Sequence, residues 1–148
     1  ELSRRYLKYH KSINKYFVQT KTYQMGEKIF DRYGIVVLTG QPGCGKTLAA
    51  IHLILNHMEI KADWSFRKIR SQNELSYIDT EGKSLIFIDN IFYRNALDSD
   101  LEDWWTELKN LHNNFFQSKE NEDGSNCLRI IITARKTDIE RVCTYMGE

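Results

Sequence analysis

The chain has 148 residues, 21 of them Lys or Arg against 20 Asp or Glu, with three cysteines, one proline and 41% hydrophobic residues. That length suits one domain able to bury roughly two thirds of its unfolded surface. The net charge of +1 excludes the whole-domain electrostatic footprint of a nucleic-acid binder, and only a local patch stays open. No apolar run approaches the ~20 residues of a membrane span, and the opening residues do not read as a signal peptide. Cys44, Cys127 and Cys143 cannot all pair, and none sits in a CxxC. A reducing, cytoplasmic setting is therefore expected, rather than a disulfide framework or a zinc module. Because the chain opens on Glu1 and not on Met, it reads as a piece of a larger protein.

Residues 1–16 are basic (Arg4, Arg5, Lys8, Lys11, Lys15), and Leu2, Tyr6, Tyr9, Ile13 and Tyr16 recur at three to four residue steps. The spacing predicts an amphipathic helix or linker, set apart from a domain over 17–148. A solvated face is its plain reading; contact with RNA or a membrane is the sharper one. Residues 35–39 form a short β-branched run expected to be a buried strand, and 47–58 (TLAAIHLILNHM) a helix. Residues 64–69 alternate like a strand with one wetter face, and 84–88 (SLIFI) read as a second buried strand. Leu101, Trp104, Trp105, Leu108, Leu111 and Phe115 mark a long helix that Asp98 or Asp100 could cap. A strand at 128–133 and a closing helix at 137–146 follow, and the only long polar run is 118–126. Strands separated by helices imply parallel pairing in an α/β layered fold.

Gly40-Gln41-Pro42-Gly43-Cys44-Gly45-Lys46-Thr47 satisfies GxxxxGK[ST] between an expected strand and an expected helix. Glycines 40, 43 and 45 let the backbone aim successive N–H groups into one concavity, above the positive end of the helix dipole. Lys46 then carries a compact charge to the β- and γ-phosphates, and the Thr47 hydroxyl is offered to Mg²⁺. Asp89 ends an apolar strand at the edge where open α/β sheets bind ligands, so it is the expected second magnesium ligand. Asn90 follows it, where P-loop ATPases that hydrolyse well commonly carry a second acid. An amide accepts no proton at neutral pH, which leaves slow hydrolysis, a base elsewhere (Asp98 or Glu102), or a nucleotide-holding switch.

P-loop proteins with an extra strand between the phosphate-loop and magnesium strands (the ASCE type) would place 128–133 centrally. The strand order becomes about 2-3-4-1, in a three-layer core preceded by N-terminal helices. Arg135 would then face the γ-phosphate as a sensor and stabilise charge during transfer. Guanine specificity is disfavoured, since Arg135-Lys136-Thr137-Asp138 lacks the leading Asn or Thr of a guanine-reading motif and 89–92 lack a GTPase switch glycine. Cys44 is read as a variable loop residue, with a thiol switch as the sharper option. His52 and His57 share no helix face and read as core or surface residues.

With these residues in place the chain resembles the STAND class of signal-transducing P-loop NTPases, and within it the novel STAND NTPase family numbered third. The resemblance rests on Phe17-Val18-Gln19-Thr20 with Tyr23, on GIVVLTGQPGCGKT, on WSFRKI over 64–69, on SLIFIDNIF, and on IITAR. It implies an ATP- or ADP-binding switch, with Mg²⁺, inside a large cytosolic protein of innate immune or apoptotic signalling. It also implies other domains of the parent chain as partners, and a homo-oligomer on activation. Val18 and Thr20 would lie beside the adenine. Gly40 to Thr47, with Leu48, would surround the phosphates; Lys46, Asp89 and Arg135 would do the chemistry, and Thr47 and Asp89 would hold the metal. Asn90 replaces the family's second acid, and Tyr93 stands where a glycine is expected, so slow or no hydrolysis is anticipated. The lid and winged helix that such proteins carry after the sensor strand have no counterpart in these 148 residues. Two other functions compete: a small-molecule or nucleotide kinase, and a nucleotide-free interaction scaffold anchored by Trp64, Trp104 and Trp105.

Overall fold

A computed structural model describes residues 2–14, 20–41, 43–61, 63–78, 82–91, 98–112 and 128–146. Val18, Pro42, Tyr93 and the polar run 118–126 lie outside them, as do the side chains of Asp98, Asp100, Glu102, Trp105 and Cys143. The elements run α1 (Leu2–Asn14), α2 (Lys21–Tyr33), β1 (Ile35–Gly40), α3 (Lys46–Ile60), β2 (Ser65–Ile69), a 3₁₀ turn (Gln72–Tyr77), β3 (Ser84–Ile88), α4 (Asp98–His112), β4 (Leu128–Arg135) and α5 (Lys136–Met146).

The four strands pair in parallel in the order β1-β4-β3-β2. That is the expected order 2-3-4-1 read from the other edge. β4 runs two residues past the expected end because the ladder continues through Thr39↔Ala134 and Gly40↔Arg135. The 3₁₀ turn was not legible in the sequence; its residues QNELSY carry no apolar period, and Leu75 alone anchors it in the core.

The period of two in a strand sorts the core into two layers. On one face Ile86, Ile88, Ile130, Ile132 and Ala134 pack under Trp104 and Leu111 of α4, with Ile139 of α5 alongside. On the other, Leu85, Phe87 and Ile131 pack under Tyr23 and Phe30 of α2 and Ala50, Leu53 and Ile54 of α3. Every residue of β3 is buried, which is why Leu85 to Ile88 read as an unbroken apolar run rather than an alternating one. Tyr6 and Leu7 of α1 pack against this second layer. Trp64 and Trp104 are both 8% exposed, so neither is presented to a partner as the scaffold reading required.

Local chemistry fixes the ends of α2. Thr20 caps it, its hydroxyl accepting the Tyr23 N–H at 3.1 Å, and Gly34 closes it at φ 76°, donating to the Phe30 carbonyl. Arg129 at the start of β4 donates to the carbonyls of Phe30 and Asp31, a cation set at the negative end of that helix. These contacts hold α2 against β1 beside the glycine loop.

Candidate nucleotide site

The loop between β1 and α3 is shaped by its glycines. Gly43 and Gly45 sit at φ 79° and 88°, conformations that a side chain strains. At Gly40 a Cβ would lie 2.6 Å from Cys44 Sγ, so a side chain there would displace the Cys44 thiol. Gly45 caps α3 with no side chain bonded to the first-turn N–H groups, which leaves those donors to an anion at the helix start. Lys46 reaches back over the loop, its ammonium donating to the carbonyls of Gln41 at 2.9 Å and Gly40 at 3.2 Å.

Asp89 follows the last residue of β3 and points to the α3 face, two residues on from Phe87. Its Oδ1 accepts the Thr47 hydroxyl at 2.9 Å and the Thr133 hydroxyl at 2.6 Å. Thr133 in turn accepts the Asn90 N–H at 2.7 Å, and its carbonyl accepts the Ile91 N–H at 3.0 Å. A single threonine of β4, 1% exposed, therefore ties the end of β3 to β4 and orients the carboxylate. A hydroxyl and a carboxylate 2.9 Å apart are hard oxygen donors of the kind Mg²⁺ takes, with phosphate and water completing its shell. Among the described residues no group of three or more His, Cys, Asp and Glu could hold a metal by itself.

Asn90 has φ 54°, the one positive φ at a residue other than glycine among those described. Asparagine tolerates that left-handed conformation and glutamate resists it. The amide at position 90 thus has a backbone reason.

Beside the loop, α2, β1 and α3 enclose a cavity of about 720 Å³. Its wall includes Thr20 and Leu48, both anticipated, and also Met25, Ile29 and Val37, which were not. Met25, Ile29, Val37 and Leu48 are 64, 43, 46 and 49% exposed, so a set of large apolar side chains faces this hollow instead of the core. Spacing gave a faint signal, since Met25 and Ile29 lie four apart on α2. Arg135 ends β4 opposite Gly40 in the register, half-buried at the loop's edge. Lys46, Thr47, Asp89 and Arg135 are thereby brought to one end of the sheet.

A parallel sheet with a glycine loop between its first strand and a helix, facing a carboxylate at a neighbouring strand's end, is a P-loop nucleotide-binding module. Within that class, the family model described as Novel STAND NTPase 3 matches residues 17–143, and the chain belongs to that family. No curated protein matches the chain. Among solved structures it is similar to C. elegans PCH-2, at 13% identity and TM-score 0.38 over 95% of this chain and 41% of that one. It is also similar to a Thermotoga maritima RuvB variant, at 16% identity and TM-score 0.37 over 82% of this chain and 41% of that one. The chain thus spans about two fifths of the length of each. Among the described residues no helix is long and apolar enough to cross a membrane.

Proposed function

We propose that the chain is the nucleotide-holding part of a larger signalling switch, binding ATP or ADP with Mg²⁺ and hydrolysing slowly. The observation that carries this reading is the Thr47–Asp89–Thr133 network facing the glycine loop. It presents two oxygen ligands for a metal next to a phosphate cradle, and no acid stands at position 90. Lys46 binds the β- and γ-phosphates, Thr47 and Asp89 hold the metal, and Arg135 reads the γ-phosphate from the end of β4. The loop from Gly40 to Gly45 wraps the phosphates, with Gln41, Gly43, Cys44 and Gly45 offering backbone N–H groups and Pro42, which has none, shaping the turn. The base enters the cavity beside Thr20 and Leu48, with Val18 next to it. Its apolar lining suits the faces of a purine, and burying those exposed side chains supplies much of the affinity. Occupancy would bias how the other domains of the parent chain dock, which makes the module a switch rather than a turnover enzyme. An oligomer on activation, a cytoplasmic location and a role in innate immune or apoptotic signalling belong to the same proposal.

Calorimetric titration with ATP·Mg²⁺, beside single-turnover assays of ATP cleavage, tests it. The wild-type chain should bind with a stoichiometry of one and cleave slowly. Lys46→Ala should weaken binding by about 30- to 100-fold, the loss of charge-assisted phosphate contacts, while leaving thermal stability unchanged. Absence of binding by the wild type, or transfer of the γ-phosphate to a small-molecule acceptor, would overturn it.

A further inference from the structure

Charge is segregated along the chain. Of the 21 Lys and Arg, six lie within residues 2–26, which hold none of the 20 Asp and Glu. The near-neutral total is therefore a basic N-terminal stretch balanced against an acidic remainder. α1 carries four of those six cations, at Arg4, Arg5, Lys8 and Lys11, and all four are exposed. Arg4, Lys8 and Lys11 stand four and three residues apart, so they share one face over about 10 Å of helix.

The other side of α1 is already engaged. Tyr6 and Leu7 pack against the buried layer under α3, and the Tyr6 ring lies 6.4 Å from that of Phe87. The Lys68 ammonium of β2, 4.1 Å from the centroid of the same ring, ties the helix to the sheet. α1 is thereby held on the domain with its basic face outward. That packing decides between two anionic partners. An amphipathic helix binds an anionic membrane by sinking its apolar face into the headgroup boundary, and here Tyr6 and Leu7 of that face are taken up by the protein. A nucleic-acid backbone asks only for cations on an open surface. One ring stays outside: Tyr9, 68% exposed, follows Lys8 and lies one turn on from Arg5, meeting His10 edge-on at 5.0 Å. An exposed aromatic ring set among cations is a stacking platform for unpaired bases. An acidic protein surface would match the cations and leave that ring without a use.

We propose that the outer face of α1 binds single-stranded nucleic acid, with Arg4, Lys8 and Lys11 on its phosphates and Tyr9 stacked on a base. Binding there is independent of the nucleotide-holding reading, because this face is turned to solvent whereas the glycine loop joins β1 to α3. Phosphates and base faces are common to every sequence, so recognition is tolerant of sequence and steep in salt. RNA and DNA share this chemistry, and the experiment separates them.

Fluorescence anisotropy of labelled oligouridylate and oligothymidylate, each of about 12 nucleotides, tests it. The 148-residue chain should bind at about 50 mM KCl and lose affinity about 20-fold by about 200 mM, as three phosphate contacts on a single strand require. Lys8→Gln/Lys11→Gln, which keeps one of the three, should weaken binding about tenfold at the lower salt and shrink the salt loss to about threefold. Tyr9→Ala should weaken binding about tenfold with the salt loss unchanged, and Tyr9→Phe should bind as wild type does. Lys28→Gln, which removes an exposed cation from α2, should change affinity by less than about twofold. The Tyr9 pair keeps the test decisive if the double variant fails to fold. Equal affinity for the two oligonucleotides supports the shared chemistry, and a preference lost in the same variants names RNA or DNA as the partner. No binding by the wild type would overturn the proposal, as would a salt loss that Lys8→Gln/Lys11→Gln leaves intact or an equal loss in Lys28→Gln. Tighter binding to the oligothymidylate–oligoadenylate duplex would overturn the single-strand assignment. Tighter binding to vesicles of phosphatidylcholine and phosphatidylserine than to either oligonucleotide would assign the face to a membrane instead.

Discussion

The two faces of the sheet are built from alternate residues of the same strands, yet they do different work. Toward α4 and α5, Ile86, Ile88, Ile130, Ile132 and Ala134 give an apolar wall. Toward α3, Leu85 and Phe87 of β3 and Ile131 of β4 pack in the core, while Asp89, just past β3, and Thr133 of β4 form the site network. The parity of a residue along its strand decides whether it stabilises the fold or equips the site. Neighbours in sequence, such as Ile132 and Thr133, fall on opposite sides of that division.

The largest effect that would break this division comes from that pair. Thr133→Val keeps the volume but removes the donor to Asp89 and leaves the half-buried Asn90 N–H without its acceptor. The expected cost is about 2 kcal/mol of stability, measured by urea unfolding, and about tenfold in affinity for Mg²⁺-nucleotide. Ile132→Val, on the other face, should cost about 1 kcal/mol from the lost methylene and leave affinity unchanged. If Ile132→Val lowered affinity as much as Thr133→Val, the two faces would not be separable.

A smaller effect is expected at Asn90. Its φ of 54° suits asparagine or glycine, so Asn90→Glu should lose about 1 kcal/mol and Asn90→Gly only a few tenths. Thermal melts of both variants check this. Equal stability of Asn90→Glu and wild type would show that the backbone does not select the amide, and the reason for it would have to be chemical.

The sequence made one half of the site plain and hid the other, for a physical reason. Gly40, Gly43, Gly45, Lys46 and Thr47 act through local backbone geometry, so their spacing alone spells the loop. Asp89 was visible because an apolar strand ends there. Thr133 was legible only as a strand end, since its partner Asp89 lies 44 residues away and parallel pairing brings them together. Met25, Ile29 and Val37 have the composition of core residues, and only the packing of α2 beside β1 shows that they line a cavity. Lys68 looked like one more wet position on an alternating strand. The register with Phe87 sets it beneath Tyr6 of α1, and residue spacing along β2 carries no information about register.

The smallest expected effect tests the α1/α3 layer as a unit. His52 and His57 on α3 and His10 on α1 all have pKa values lowered, in each case chiefly by burial. At His57, Arg129 and Lys61 push the same way, and the ring stands edge-on between Phe30 at 5.6 Å and Trp64 at 4.7 Å. A histidine held below its ordinary value of 6.5 stays neutral in the folded chain, while the unfolded chain takes up the proton first. Its contribution to stability is therefore complete above that value and is lost as pH falls through it toward the lower folded value. The urea midpoint should fall between pH 7.5 and pH 5. His57→Gln, which cannot titrate, should flatten part of that slope. Because the three histidines sit in the layer that also carries Tyr6 and Lys68, the acid loss should appear first as weakened protection of α1 and α3 in hydrogen exchange. Loss of protection beginning at Ile86 and Ile132 would place the acid-sensitive layer on the opposite face of the sheet.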